Sequence, residues 1–218
     1  MSETYEEVGS RHQWRNPTGL WRFLAVCYLI AIAIYALLGV AEALVLLLYL
    51  GRMTIDAANA ATVEHAVAIL NQLIAPVFVV CATITLLLLY RLIANEHARG
   101  PSTKLTGPVL AVAAYFIPLL GFFMPPLIMA ELWRASFGRD GRQPNGAITL
   151  WWTALIIGTF TAIFANYADA ASWADPRNAI KLYGASIISF IARSIAAGTL
   201  LYIFGTLVGQ QRATAALH

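Results

Sequence analysis

The stretch from Tyr90 to Trp152 limits what this chain can fold into more than any other. Its centre, Phe116-Ile117-Pro118-Leu119-Leu120-Gly121-Phe122-Phe123-Met124-Pro125-Pro126, is apolar throughout and yet unlike a plain membrane helix. Three prolines and a glycine within nine residues remove backbone donors and fix φ where a spanning helix needs its hydrogen bonds intact. In hydrocarbon each unsatisfied backbone group costs several kcal/mol, so a break is expected inside this stretch.

The rest of the chain reads as membrane helix. With 60% apolar and 11% charged residues, the 218-residue chain has more hydrophobic length than one soluble core could bury. Apolar runs over 22–51, 65–91, 147–166 and 182–209 are each long enough to span a ~30 Å hydrocarbon core. The first follows a polar segment, 1–21, in which Trp14 and Trp21 read as interfacial anchors, and it is too long for a signal-peptide core. Asn71, Gln72 and Pro76 interrupt the second run, where Pro76 is expected to kink the helix. Residues 91–106 and 135–146 are polar links, 166–181 reads as the longest outer loop, and 210–218 is a tail. Cys27 and Cys81 lie inside apolar runs and read as small buried hydrophobes.

The expected architecture is a single all-α polytopic membrane domain over residues 1–218. It has four transmembrane helices plus a proline-broken re-entrant or half-inserted helical hairpin over 108–136; the alternative has five transmembrane helices. Lysine and arginine favour the first, because cytoplasmic flanks carry an excess of them. If 108–136 returns to its own side, positions 11, 15, 22, 91, 99, 104, 134, 139, 142 and 212 face in and 52, 177 and 181 face out, ten against three. If it crosses, the division falls to eight against five. Each half of the broken stretch is about a dozen residues, and twelve residues of helix cover only ~18 Å. The expected location is a bacterial inner membrane with both termini cytoplasmic.

Tyr90-Arg91 with Asn95 and Gly100, then Phe116-Ile117-Pro118, Pro125 and Glu131-Leu132-Trp133-Arg134-Ala135-Ser136, and finally Trp151-Trp152, resemble a bacterial integral-membrane family of unknown function. The resemblance covers about 65 residues and is more specific in its second half, the Phe-Ile-Pro and Glu-Leu-Trp-Arg-Ala-Ser signature. It marks Arg91, Asn95, Pro118, Pro125, Glu131, Trp133 and Arg134 as motif residues and implies a polytopic inner-membrane protein without an assigned activity. Gly121 stands where that pattern has an asparagine and Pro126 where it has an aromatic, which makes this hairpin tip more apolar. Trp133 and Arg134 are expected at the inner interface, with a half-buried indole and a guanidinium reaching for phosphate or the first loop.

Two charges fall within apolar runs, Glu42 and Arg193, and an ionisable group in hydrocarbon is a functional-site hypothesis by default. With four spans the first and last run antiparallel and the two charges fall at similar depth, ~7 Å and ~4 Å outward of their helix midpoints. Asn71 and Gln72 sit in the same half, so a polar cluster of Glu42, Arg193, Asn71 and Gln72 is expected, either as a structural ion pair or as a conducting or ligand-binding group. Glu131 and Arg134 are three apart and close enough to interact on a helix. Asp169 and Asp175 in the outer loop read as polar surface.

The missing chemistry narrows the function classes. His12, His65, His97 and His218 all avoid the middle of a span, which leaves no axial haem ligand. The sequence has no His-Glu-x-x-His, Gly-x-Ser-x-Gly or phosphate-loop pattern. The reading is of a protein without cofactor or metal and without a recognisable catalytic constellation. Its expected partners are the lipid bilayer and a homo-oligomer or larger membrane complex. Nucleic acid is not expected, since the basic residues sit at helix ends rather than in a patch. The expected role is a non-enzymatic scaffold, accessory subunit or sensor. The alternative is a small channel or transporter using Glu42 and Arg193, and a lipid-modifying enzyme using Glu131 stands third.

Overall fold

The computed structural model describes residues 14–54, 56–99, 105–138, 145–172 and 176–216. In chain order it contains α1 (Thr18–Tyr49), α2 (Ala57–Ala98), α3 (Pro108–Ala113), a 3-10 turn (Ala114–Phe116), α4 (Leu120–Phe137), α5 (Asn145–Ser172) and α6 (Pro176–Ala215). The described residues hold no strand. Four helices contain stretches long and apolar enough to cross a membrane: Thr18–Leu48, Ala61–Ala98, Gly146–Tyr167 and Ile180–Ala215. The protein is an all-α polytopic membrane protein.

The helices outrun the apolar runs that announce them, because hydropathy marks the hydrocarbon-compatible part of a helix and local caps mark its ends. Asn16 Oδ1 accepts the Thr18 backbone N–H at 3.0 Å across Pro17, so a cap and a first-turn proline start α1. Asp56 Oδ1 accepts the Asn59 backbone N–H at 2.8 Å, which starts α2 eight residues before the run at His65. The long outer loop expected over 166–181 is a correction: α5 continues to Ser172 and α6 begins at Pro176, a residue suited to a first helical turn. Pro76 lies inside α2, which continues through it as one helix.

The break falls at one proline of the three. Ile117, the residue before Pro118, is extended at φ −95° and ψ 116°, as the ring that follows it demands. Pro125 and Pro126 instead lie within α4. At the turn, Gly121 N–H donates to Ile117 O at 2.6 Å, and a Cβ on Gly121 would stand 3.1 Å from Tyr115 O. Glycine is what lets α4 start so close to the 3-10 turn.

Beyond the break the chain reverses. Thr106, just ahead of α3, donates its hydroxyl to Glu131 Oε2 on α4 at 2.7 Å and its backbone N–H to the same oxygen at 3.2 Å. On one straight helix residues 25 apart would be separated by ~37 Å. The segment is therefore a helical hairpin, with a short first arm and a longer second arm.

The chain divides into two compact units, and the four long helices contribute to both. One comprises Met1–Val26, Cys81–Thr149 and Leu200–His218. Its core is made of large side chains, among them Leu24, Leu88, Leu92, Ile128, Leu132 and Phe204, all fully buried. On α4 the buried residues Pro125, Ile128, Met129, Leu132, Trp133 and Ser136 form one helical stripe. Gly205 admits the Trp21 ring, whose Cζ2 would lie 2.9 Å from an added Cβ.

The other unit comprises Cys27–Val80 and Leu150–Thr199. Its buried residues are mostly small, including Ala154, Ala165, Ala185, Ala192, Ala196 and Ala197, which lets helix backbones approach as they do in membrane bundles. The tightest approach is at Gly158 on α5. A Cβ there would lie 2.9 Å from Arg193 Cγ and 3.3 Å from both Arg193 N and Ser189 O on α6. Ser189 Oγ donates to Gly158 O at 2.8 Å across the same contact. Gly158→Ala is therefore expected to destabilise the protein by about 1–3 kcal/mol through overpacking. Gly198→Ala, with open space around it, should be neutral or gain up to about 1 kcal/mol from helix propensity. Denaturation in detergent of the two variants side by side checks both.

Candidate functional site

Where α2, α4 and α6 end, the buried stripes of all three turn polar. On α2 the stripe through Leu88, Leu89 and Leu92 continues into Asn95 and Glu96; on α6 that through Phe204, Leu207 and Val208 continues into Gln211; on α4 it closes with Ser136. Asn95 is 1% exposed and Gln211 0%, so each has to find its partners within the protein.

They find them in one another. Glu96 Oε1 accepts three hydrogen bonds, from Gln211 Nε2 at 2.7 Å, Ser136 Oγ at 2.9 Å and Arg99 Nη1 at 2.9 Å. Gln211 Nε2 also donates to Leu92 O at 2.9 Å, and its Oε1 accepts from Asn95 Nδ2 at 3.0 Å. Turning the Gln211 amide over would set its oxygen against a carboxylate and a carbonyl, so the arrangement selects one orientation. Arg99 Nη2 donates to Gln211 O at 2.7 Å, which places a cation near the C-terminus of α6, where the helix dipole favours it.

Asn95 ties in a fourth segment. Its Oδ1 accepts the Arg15 backbone N–H at 3.0 Å and its Nδ2 donates to Arg15 O at 2.9 Å, so the side-chain amide pairs with the main chain in both directions. The chain ahead of α1 and the ends of α2, α4 and α6 thus meet at one place. The cluster is a clamp whose described polar groups engage one another.

Of the motif residues, Asn95 is in the clamp, together with Ser136 from the Glu-Leu-Trp-Arg-Ala-Ser stretch. Glu131 receives Thr106 and closes the base of the hairpin. Arg134 is exposed and donates Nε to Ala130 O at 3.1 Å, so the suggested Glu131–Arg134 contact does not form among the described residues. Trp133 is corrected from a half-buried anchor to a core residue. It is 2% exposed and stacks on Phe137 with ring centroids 4.8 Å apart, because it shares the inner stripe of α4 with Leu132 and Met129. Pro125 is buried on the same stripe, Pro118 is exposed at the turn, and Arg91 is half-buried one turn before Asn95.

Glu42 on α1 and Arg193 on α6 are both half-buried in the second unit, and Arg193 packs against Gly158. Asn71 and Gln72 are exposed on α2. An open apolar groove of about 410 Å³ runs between α1 and α6, lined by Tyr35, Gly39, Ala43, Phe190, Ser194 and neighbouring aliphatics. Among the described residues no three His, Cys, Asp or Glu side chains are grouped to hold a metal ion. Asp175 lies outside the described residues.

Glu96, Arg99 and Gln211 belong to no motif that the sequence displays. The available signal was a polar residue at a position where the 3.6-residue apolar period predicts core, close to a helix end. Glu96→Ala strands three donors, one of them charged, and is expected to cost about 3 kcal/mol or more. Gln211→Leu should cost about 2 kcal/mol or more, and the double variant should lose clearly less than the sum, since both act in one network. Chemical denaturation of the four proteins measures the coupling.

No curated protein and no solved structure matches the chain. Residues 51–208 match the family described as a domain of unknown function, DUF4328, and they include both arms of the hairpin with Asn95, Glu96, Glu131 and Ser136. A match over most of the 218 residues shows the family, and the chain belongs to DUF4328.

Proposed function

We propose that this protein is a non-enzymatic scaffold, accessory subunit or sensor of a bacterial inner membrane, with 108–136 as a re-entrant hairpin and both termini cytoplasmic. The observation that carries the reading is the Ser136–Glu96 hydrogen bond, which returns the far arm of the hairpin to the end of α2 from which its near arm departs. That return supports re-entry over the crossing of a ~30 Å core. The tip supports insertion: Phe116, Leu119 and Phe123 are 73%, 76% and 63% exposed, apolar area at home in hydrocarbon or against a partner. The ten-to-three division of basic residues supports a cytoplasmic clamp. A clamp whose polar groups engage one another suits a part that holds shape better than one that turns over a substrate.

Cysteines introduced at Ser102 and at Gly138 are expected to react with a membrane-impermeant reagent from the cytoplasmic side alone. Reaction of the Gly138 position from the outer side would restore five spans.

The channel reading rests on Glu42 and Arg193. For a structural ion pair, Glu42→Gln and Arg193→Met should each cost about 3–5 kcal/mol and the double variant should recover much of it. Vesicles holding the protein should then be no more ion-permeable than empty ones. Permeability that is lost in a stable double variant would favour the channel instead.

A further inference from the structure

Among the described residues of the first unit, both carboxylates are engaged within the protein and most of the arginines have no carboxylate partner. In the first unit the described carboxylates are Glu96, held by Arg99, Ser136 and Gln211, and Glu131, held by Thr106. Around them stand six arginines: Arg15, Arg22, Arg91, Arg99, Arg134 and Arg212. Their positions follow from the clamp. Arg15 is bonded to Asn95 through its backbone, Arg212 adjoins Gln211, Arg134 is two residues from Ser136, Arg91 lies one turn before Asn95, and Arg22 is about one turn into α1. Arg99 has a carboxylate partner; among the described residues the other five have none, and all of them except Arg91 are exposed.

We infer that this collar of arginines is a docking surface for anionic phospholipid headgroups, with Arg134 as its best-formed position. The outer face of α4 presents Phe123 and Leu127, 63% and 54% exposed, then Ala130, then Arg134. Spaced at four, three and four residues, they form one helical stripe that is apolar along its length and cationic at the end nearest Ser136. That is the chemistry of a lipid laid lengthwise, with acyl chain on Phe123 and Leu127 and phosphate at Arg134. A free phosphate ion would have no use for the apolar part. Arg134 Nε is already spent on Ala130 O, which orients the guanidinium and leaves its two terminal nitrogens for a phosphate.

The inference rests on the clamp lying at a membrane interface but not on which leaflet that is. It is tested in detergent, where sidedness has no meaning and cysteine labelling has no bearing. The full chain is purified from mixed micelles of equimolar phosphatidylcholine and phosphatidylglycerol, and the lipid retained is counted by mass spectrometry. The expected result is an excess of phosphatidylglycerol that falls roughly fivefold in Arg134→Gln, the effect of one cation near an anionic surface. Arg22→Gln and Arg212→Gln should lower it further, and Arg52→Gln, at the other end of α1, should leave it unchanged. Unchanged thermal stability of the collar variants in phosphatidylcholine alone separates lipid loss from unfolding. Equal retention of the two lipids, an equal loss in Arg52→Gln, or full displacement of phosphatidylglycerol by inorganic phosphate would overturn the proposal.

Discussion

Glu96 is a buried carboxylate at the end of a helix, and the bonds to its Oε1 are what the rest of the first unit depends on. A buried carboxylate without donors would be prohibitive, and with three donors it becomes a junction that each of α2, α4 and α6 has to reach. A hydrogen bond to a charged group contributes about 1.5–3 kcal/mol, and losing the carboxylate leaves the buried Ser136 and Gln211 donors without it. Such a junction is selective as well as stabilising, because a helix that slides or rotates by one residue misplaces its donor. Asn95 extends the same logic to the chain ahead of α1, using a side-chain amide in place of a backbone pair.

The two units are held by different means. Where the clamp sits, large aliphatic and aromatic side chains fill the core and polar groups close its end. In the other unit alanine and glycine bring helix backbones together, and Gly158 lets α5 rest on the backbone and the Cγ of Arg193. Lipid tails are as apolar as leucine, so close backbone contact and the Ser189–Gly158 bond stand in for the hydrophobic drive that water would supply. An arginine in such a contact is placed by its aliphatic stem, while its charged head keeps some freedom to find a partner or water.

The hairpin is set by few residues. Pro118 pushes Ile117 out of helical geometry, Gly121 gives α4 room to begin beside the 3-10 turn, and Thr106–Glu131 holds the base. The hairpin is apolar and exposed at its tip, at Phe116, Leu119 and Phe123, and carries exposed Arg134 toward its base.

Hydropathy alone determined the class of this protein, since apolar runs of twenty residues and more have one stable setting, and the prolines and glycine of 118–126 marked a stretch that had to break. Asn95 and the Glu-Leu-Trp-Arg-Ala-Ser stretch were visible as motif but not as contacts. The true helix ends were less legible: Asp56 as a cap for Asn59 is local and could be read, but it lies outside the apolar run that draws attention. The burial of Trp133, the fold-back of 106 onto 131 and the clamp itself were decided by tertiary structure. Glu96 meets Ser136 across 40 residues and Gln211 across 115, and nothing in the local pattern of either helix specifies the other. Periodicity says which face of a helix is buried, while the partner on that face is chosen by how the ends of several helices converge.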